Sequence, residues 1–536
     1  MGTLTQIKSF FFGTKPTEQD YFNKLKEQFF SASSNKEPYA GALLHRAFSL
    51  YPHNTALIDR ERSISYQEFF FRTVILGNKL RALGVKPRDK VLLLCENSPE
   101  FFVAYYASWQ LGAVVVPVNI FLHEKELAFI LNESQPVAIF TTNAQHASLQ
   151  KLVTLNLVAE LPPVLTEADI ALDTPLPENI NELAHNFEIT SLGTDELCVL
   201  LYTSGTTGTP KGVMLSSRNV LTNSMQAYAR FSICNLTDQE RIFCVLPLFH
   251  VFAQNTCLWL PVMTGASVII VRKIDRKLIL EGLKKEPTVF FGFPALYGLL
   301  CIMRNAPLHS IKMFISGADM LPDKIRSAFA MIYGRKICAG YGLSEASPVV
   351  GVNHENEHLP TAVIGRPLLA LECQIRDEAG NILPRGTIGT LWIKGDNIMM
   401  GYFKSPDATE KILQNGWLNT GDLATIDQKN NIAITGRIKD IIIHKGFNIY
   451  PAEVENILML HPAVFKAAVV GREEAASGQI PVAYVAVKQL DQNLEQALRE
   501  LCASNLAAYK IPRKFVCLDD LPMNSTGKID KKQLTQ

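Results

Sequence analysis

From about residue 65, short apolar runs alternate with longer segments whose apolar positions recur every three or four residues. Ser65 and Glu68 form a capping-box pattern ahead of one such segment, which carries Phe69, Leu76, Leu80 and Leu83 and ends near Gly84. That spacing predicts a helix. Residues 91–95 are an unbroken apolar run and predict a strand, and Ser98-Pro99 supplies an N-cap and first-turn proline for the next helix. Residues 113–118 predict a second strand, 124–132 a helix and 137–141 a third strand. Strands that are apolar on both faces and alternate with helices imply a parallel sheet covered on both sides. Ligands then belong at the carboxyl ends of the strands.

Two uncharged stretches could be mistaken for membrane spans. Residues 101–122 are long enough to cross a bilayer, but Gln110, Gly112, Pro117 and Asn119 interrupt them, and their middle changes from helical to strand character. Residues 242–271 are broken by Pro247, His250, Pro261 and Gly265. Such punctuation fits tight turns inside a protein, so both stretches read as buried helix–strand units. Residues 1–40 are polar and aromatic without a clear period and are expected to wrap the first domain. Residues 155–190, rich in Pro, Glu and Asn, read as a surface excursion before the alternation resumes at 197–203. Beyond about Ala362, short strands with turns at Gly380-Asn381, Arg385-Gly386 and Gly389 predict a barrel-like β module. Residues 440–536 read as a compact α+β unit, with a helix after Pro451 and strands near 467–470 and 482–487.

Composition narrows the function classes. A chain of 536 residues exceeds one ordinary core and suggests roughly two to four structural units. The net charge of +1 provides no global field for nucleic acid or anionic lipid, so a small acidic ligand would be held by local charge. The ten cysteines include no CxxC pair, which leaves a zinc ribbon or thioredoxin-like site unsupported. Thiols within apolar runs, such as Cys95 and Cys244, read as core residues in a reducing compartment. Phe10-Phe11-Phe12 is too short for a signal-peptide core and is followed by Lys15, Glu18 and Asp20, while Gln6 breaks the myristoylation pattern. The chain is expected to be cytoplasmic. His354-Glu-Asn-Glu-His358 matches the HExxH zinc pattern, but Asn353, Asn356 and Pro360 oppose a helix and no apolar face accompanies it, so a polar loop without zinc is expected.

The densest chemistry lies in Tyr202-Thr-Ser-Gly-Thr-Thr-Gly-Thr-Pro-Lys-Gly212, directly after an apolar strand. Gly205, Gly208 and Gly212 admit close backbone approach, Thr203, Ser204, Thr206 and Thr207 supply hydroxyls, and Lys211 adds a point charge. Such a loop suits a polyphosphate. It is not a Walker A loop, because Gly212 follows the lysine where Ser or Thr is required.

At this stretch the chain resembles the AMP-forming acyl-CoA synthetase superfamily, and further motifs follow in that family's order over about residues 40–536. Pro247-Leu-Phe-His250 resembles the segment lining the acyl pocket, and Ser316-Gly317-Ala318 the adenine-edge segment. Gly340-Tyr341-Gly342-Leu-Ser344-Glu345 resembles the adenine-stacking and magnesium motif, with Ser344 where the family usually has Thr. Trp417-Leu-Asn-Thr-Gly-Asp422 resembles the ribose motif, Gly436-Arg437-Ile-Lys-Asp440 the hinge, and Asn524-Ser-Thr-Gly-Lys528 the catalytic-lysine loop. The residue types suit these roles. Tyr341 offers an aromatic face to a purine, Glu345 a hard oxygen ligand to magnesium, Asp422 two acceptors to a ribose diol, and Arg437 a forked donor.

The resemblance implies an α/β fold. Residues 1–438 would hold two packed α/β sheets plus a small β-barrel at about 362–438, with Lys439 as hinge and 440–536 as a smaller, mobile α+β lid. It implies catalytic roles for Lys528, Glu345, Thr203 and Arg437, and nucleotide contacts from the phosphate loop (Thr203 to Gly208, with Lys211), the adenine segments, Ser344 and Asp422. Phe249, His250, Val251 and Phe293 would line the acyl pocket, with Gly446 and Phe447 on the thiol side. The implied reaction consumes MgATP and a fatty acid of medium or long chain, forms acyl-AMP with release of pyrophosphate, and transfers the acyl group to coenzyme A. Acyl carrier protein is the alternative acceptor, and an acid–CoA ligase of other substrate the alternative specificity. A nucleotide-binding sensor without catalysis is the remote alternative, opposed by the retention of Lys528, Glu345 and Asp422. Peripheral membrane contact and a dimer remain compatible with all of these readings.

Overall fold

The computed structural model describes residues 16–30, 39–203, 210–232, 236–354, 359–360, 362–444, 447–474, 478–487, 493–523 and 529–535. Four sheets organise the chain. The first runs in the order Val164–Leu165, Ala138–Thr141, Lys90–Leu94, Val114–Pro117, Leu197–Thr203, Lys211–Ser216, Gly401–Tyr402. It is parallel as far as Leu197–Thr203 and antiparallel beyond. The second runs Val349–Val352, Cys338–Gly342, Met313–Ser316, Val289–Gly292, Arg241–Cys244, Ser267–Ile270, Thr55–Asp59, Arg62–Ser65, with antiparallel pairs only at its two edges.

The period of two along each strand builds a five-layer stack. In the first sheet Val91 and Leu93 face a central helical layer, whereas Leu92 and Leu94 pack on the outer helices Glu124–Ser134 and Asn143–Thr154. In the second, Cys244, Phe291 and Ile315 join the central layer, and Phe243, Phe290 and Phe314 pack on Arg276–Leu283, Pro294–Met303 and Asp323–Tyr333. The central layer holds the helices Tyr66–Ala82, Pro99–Gln110 and Ser217–Ser232 and the helical stretch 251–264. Trp109 and Trp259 stack inside it with centroids 6.2 Å apart. Both uncharged stretches are therefore buried helix–strand units, and no helix among the described residues is long and apolar enough to cross a membrane.

Helix Tyr66–Ala82 starts as expected, with Ser65 accepting the Glu68 N–H at 3.1 Å. The Glu68 carboxylate binds Arg62 (2.8 Å) and Arg72 (3.4 Å). Arg72 is itself buried and donates to the carbonyls of Ala171 (2.8 Å), Leu172 (3.2 Å) and Thr174 (2.6 Å). That corrects the reading of 155–190 as a mere excursion. It contributes an edge strand and the short helices Glu167–Ile170 and Ile180–Asn186, and it buries Ile170, Leu172, Ile180 and Phe187. Phe187 lies against Gly77, where a Cβ would come within 2.7 Å of its ring. Together with Val158 and Leu165 these make six buried apolar anchors, whose irregular spacing carries no period to read. Near the N-terminus, helix Glu18–Phe30 packs on Ser217–Ser232, with Tyr21 edge-on to Tyr228 at 6.1 Å and Glu18 paired to Arg230 at 2.8 Å.

The third sheet is antiparallel: Val363–Gly365, Ile432–Arg437, Trp417–Ile426, Gly389–Lys394, Glu372–Arg376, with Leu413–Gln414 paired to Trp417–Ile426. The expected barrel is not closed among the described residues, since the two end strands do not pair. Val363–Gly365 has only three residues, too short to carry the staggered register that closure demands. The fourth sheet, Phe447–Ile449, Ile442–His444, Gly478–Val487, Val464–Glu474, with Lys514–Leu518 parallel to Gly478–Val487, packs with helices Pro451–Met459 and Leu494–Asn505 around its own core of Ile442, Val454, Leu458, Val485 and Leu498. Lys324 of the second sheet's outer helix touches this unit, donating to the carbonyls of Pro462 (3.0 Å) and Val464 (3.1 Å).

Candidate active site

Parallel strands of the second sheet end side by side, which gathers motifs far apart in sequence. Gly292 lies opposite Ser316, and Ser316 opposite Ala339, so Phe293, Ser316-Gly317-Ala318 and Gly340-Tyr341-Gly342 share one carboxyl edge. Gly317 is bonded to the Gly292 carbonyl at 3.0 Å and supports the Phe252 ring, which a Cβ at that position would meet at 3.0 Å. Ala318 takes a left-handed conformation with φ of 69°. Ser316 is buried, and its Oγ has no hydrogen-bond partner among the described residues. Such an orphan at a strand end is what a ligand would satisfy. At Gly342 a Cβ would lie 2.2 Å from the Pro348 carbonyl oxygen, so only glycine fits beside Tyr341.

The third sheet brings a carboxylate to that edge. Asp422 and Arg437 are directly opposed across an antiparallel pair, and Arg437 Nε lies 2.9 Å from Asp422 Oδ1. Tyr341 donates its hydroxyl to Asp422 Oδ2 at 2.5 Å. Burial, and then the charge of Asp422, push the Tyr341 phenol well above its ordinary range, so it stays a donor at neutral pH. Asp422 is buried, and its backbone N–H donates to Thr420 Oγ1 at 3.1 Å, which fixes its place in the strand.

Glu345 sits in the short turn Ser344–Ala346 and accepts the Tyr402 hydroxyl at 2.7 Å on Oε1. Lys211 Nζ stands 5.0 Å from the centre of the Tyr402 ring. Thr203 and Lys211 face each other as a cross-strand pair and so bracket the phosphate loop. This donor set fits magnesium carried on a triphosphate, which uses one or two protein carboxylates and takes its other oxygens from phosphate and water.

Three of the acyl-pocket candidates, Phe249, His250 and Val251, follow the strand Arg241–Cys244, and Phe293 follows Val289–Gly292. Phe249 and Val251 are buried, His250 is half-buried with its ring 4.6 Å from that of Phe249, and Phe293 is half-buried between the central and outer cores. Phe252 stands edge-on to Phe291 at 6.2 Å. His250 precedes helix Val251–Ala253, which passes into a π-helical turn, Gln254–Trp259. A buried amide network holds this turn: Asn255 donates to Asn223 (3.0 Å) and the Ser347 carbonyl (3.2 Å), and Tyr105 donates to Gln254 (3.0 Å). A π turn costs regular hydrogen bonding and recurs where a helix must aim side chains at a site.

Ser204, Gly205, Thr206, Thr207, Gly208, Gly446 and Lys528 lie outside the described residues, as do Glu355 to His358 of the HExxH pattern. His354 is not helical. Phe447 begins the strand Phe447–Ile449 and pairs with His444. Lys439 lies in the turn Ile438–Asp440, between the third and fourth sheets. Sequence reasoning missed Tyr402 and the amides of Asn223 and Asn255. The only local sign of Tyr402 is an aromatic beside Gly401, which is too common to use.

Comparison with known proteins identifies the family. The AMP-binding enzyme family matches residues 44–403, and its C-terminal domain matches 453–528. The chain is 32% identical to a feruloyl-CoA synthase of an Amycolatopsis species, over 91% of this chain and 97% of that protein. It is 30% identical to a long-chain-fatty-acid–CoA ligase of Bacillus subtilis, over 92% and 94%. Among solved structures, ATP-bound MatB from Rhodopseudomonas palustris superposes with a TM-score of 0.81 at 27% identity, over 92% of this chain and 98% of that one. The Bacillus subtilis o-succinylbenzoate CoA synthetase with its acyl-adenylate intermediate gives 0.80 at 27%, over the same shares. With its strand-end motifs converging on one edge and the family spanning most of its length, the chain belongs to the AMP-binding enzymes, the AMP-forming acyl-CoA synthetase superfamily.

Proposed function

We propose that this AMP-forming acid–CoA ligase activates fatty acids of medium or long chain. The observation that carries this reading is the apolar character of the candidate acyl segments: Phe249 and Val251 are buried, and Phe252 and Phe293 are half-buried against the central core. An alkyl chain would gain about 0.8 kcal/mol for each methylene buried there. In the first half-reaction the substrate carboxylate attacks the α-phosphate of ATP, forming the acyl–phosphate bond as pyrophosphate leaves. Tyr341 faces the purine, Asp422 accepts the ribose hydroxyls, and Lys211 and Lys528 offset phosphate charge. Magnesium, held by Glu345, would neutralise charge on the phosphate oxygens when bound. In the second half-reaction the thiol of coenzyme A attacks the acyl carbonyl and AMP departs. Rotation of residues 440–536 about Lys439 would exchange Lys528 for the segment at Gly446 and Phe447, because pyrophosphate exit and thiol entry need different walls.

An aromatic acid is the second reading, favoured by the likeness to a feruloyl-CoA synthase. AMP release measured with acids from acetate to stearate and with ferulate, using coenzyme A or acyl carrier protein as acceptor, tests both. Rates that rise with chain length support the fatty-acid reading. A flat profile with ferulate preferred overturns it, and ADP as the product would remove the ligase assignment itself.

A further inference from the structure

One ring links the end of the phosphate-loop hairpin to the candidate metal-binding carboxylate. The strand Gly401–Tyr402 comes from the third-sheet region but adds to the first sheet, with Gly401 opposite Met214 and Tyr402 opposite Val213. Phe403 N–H to the Gly212 carbonyl (2.7 Å) and Met400 N–H to the Met214 carbonyl (2.9 Å) clamp it on both sides. Gly401 has φ of 139°, and a Cβ there would meet the Thr409 side chain at 2.8 Å. The Thr409 hydroxyl accepts the Tyr402 N–H at 2.8 Å. The backbone of Tyr402 is thus determined from several directions before its side chain does anything.

From this strand the hydroxyl reaches Glu345 Oε1 at 2.7 Å, and the ring lies 5.0 Å from Lys211 Nζ. The same segment also grips the turn that carries Glu345. Met399 N–H donates to the Glu345 carbonyl, and the Asn397 amide to that of Ala346, each at 2.9 Å. We propose that Tyr402 is a positioning residue that aims Glu345 through its hydroxyl and Lys211 through its ring face at one metal–triphosphate group. The inference rests on the reading of the site given above. A carboxylate held on one oxygen by a neutral donor keeps its other oxygen in a set direction for a hard cation, and outer-shell donors of this kind tune metal affinity. An ammonium over an aromatic face loses freedom that it would otherwise surrender on binding phosphate.

The test is Tyr402→Phe, which removes the hydroxyl and keeps the ring. Manganese binding to the full chain with ATP, read by electron paramagnetic resonance without any acid substrate, is expected to weaken roughly 10-fold. The magnesium dependence of ATP–pyrophosphate exchange should shift by the same factor, with the rate at saturating magnesium changed less than about 3-fold. Tyr402→Leu should also raise KM for ATP a further ~2–5-fold, an increment that vanishes when Lys211→Met is present. Manganese binding unchanged in Tyr402→Phe, with only a lower Tm, would reduce Tyr402 to a structural strut and overturn the proposal. Were the wild type to show no exchange with any acid, the ligase reading would fall, while manganese–ATP binding would still decide the role of Tyr402.

Discussion

Tyr341 and Asp422, 81 residues apart, share a 2.5 Å hydrogen bond while Arg437 holds the other carboxylate oxygen at 2.9 Å. Both oxygens of the proposed ribose acceptor are thus engaged within the protein itself. A ribose diol arriving at Asp422 has to share or displace the phenol. Tyr341→Phe removes that competitor and keeps the ring, but leaves a buried carboxylate oxygen unpaired. The variant should lose about 1–3 kcal/mol of stability and bind ATP several-fold more tightly by calorimetry. Weaker binding would mean that the hydroxyl itself contacts the nucleotide.

Gly342→Ala probes the packing beside that ring. Its Cβ would press on a backbone carbonyl 2.2 Å away, which cannot swing aside as a side-chain tip can. We expect a loss of about 1–3 kcal/mol in denaturant unfolding, together with slower adenylation, since Tyr341 and Glu345 flank the displaced strand. Unchanged stability and exchange rate would show that the loop at Pro348 yields freely.

Alkaline pH should destabilise the fold with a definite sign. Tyr66, Tyr105, Tyr106 and Tyr297 are fully buried, and burial raises each phenol well above its ordinary value. Above about pH 10 the unfolded chain releases these protons while the folded chain keeps them. Stability is therefore whole below pH 10 and falls above it, by about 1.4 kcal/mol per pH unit for each such tyrosine. Denaturant titrations between pH 8 and about 11 check this, and a flat profile would contradict the burial of these hydroxyls.

Lys528→Ala should separate the half-reactions. Loss of the proposed charge-assisted contact to the α-phosphate should slow pyrophosphate exchange by about 10²–10³, whereas thioester formation from supplied acyl-AMP should change far less. Gly446→Trp should do the reverse by obstructing the thiol. Equal slowing of both steps in Lys528→Ala would rule out lid rotation for this protein.

What was legible from residues alone is local. Helix Tyr66–Ala82 announces itself by the Ser65 cap and its apolar period, and the strand expected at 91–95 lies at Lys90–Leu94. Both are written in contiguous residues whose hydrogen bonds close nearby. The motifs proposed to hold the nucleotide are compact in sequence for a related reason, since phosphate, purine and ribose chemistry demands particular side chains at short spacing. Tertiary structure decided the rest. Nothing in the two-residue strand Gly401–Tyr402 states that it leaves its neighbours to join Lys211–Ser216, and only that crossing puts its hydroxyl on Glu345, 57 residues away. The 155–190 segment is rich in Pro, Glu and Asn, yet Arg72 and several buried apolar side chains sew it down. The β module reads as a barrel from its turns, but it stays open because closure depends on strand length and register between residues distant in the chain. Short-range hydrogen bonding and side-chain period are encoded locally, whereas pairing partners and side-chain meetings are set by how whole layers pack.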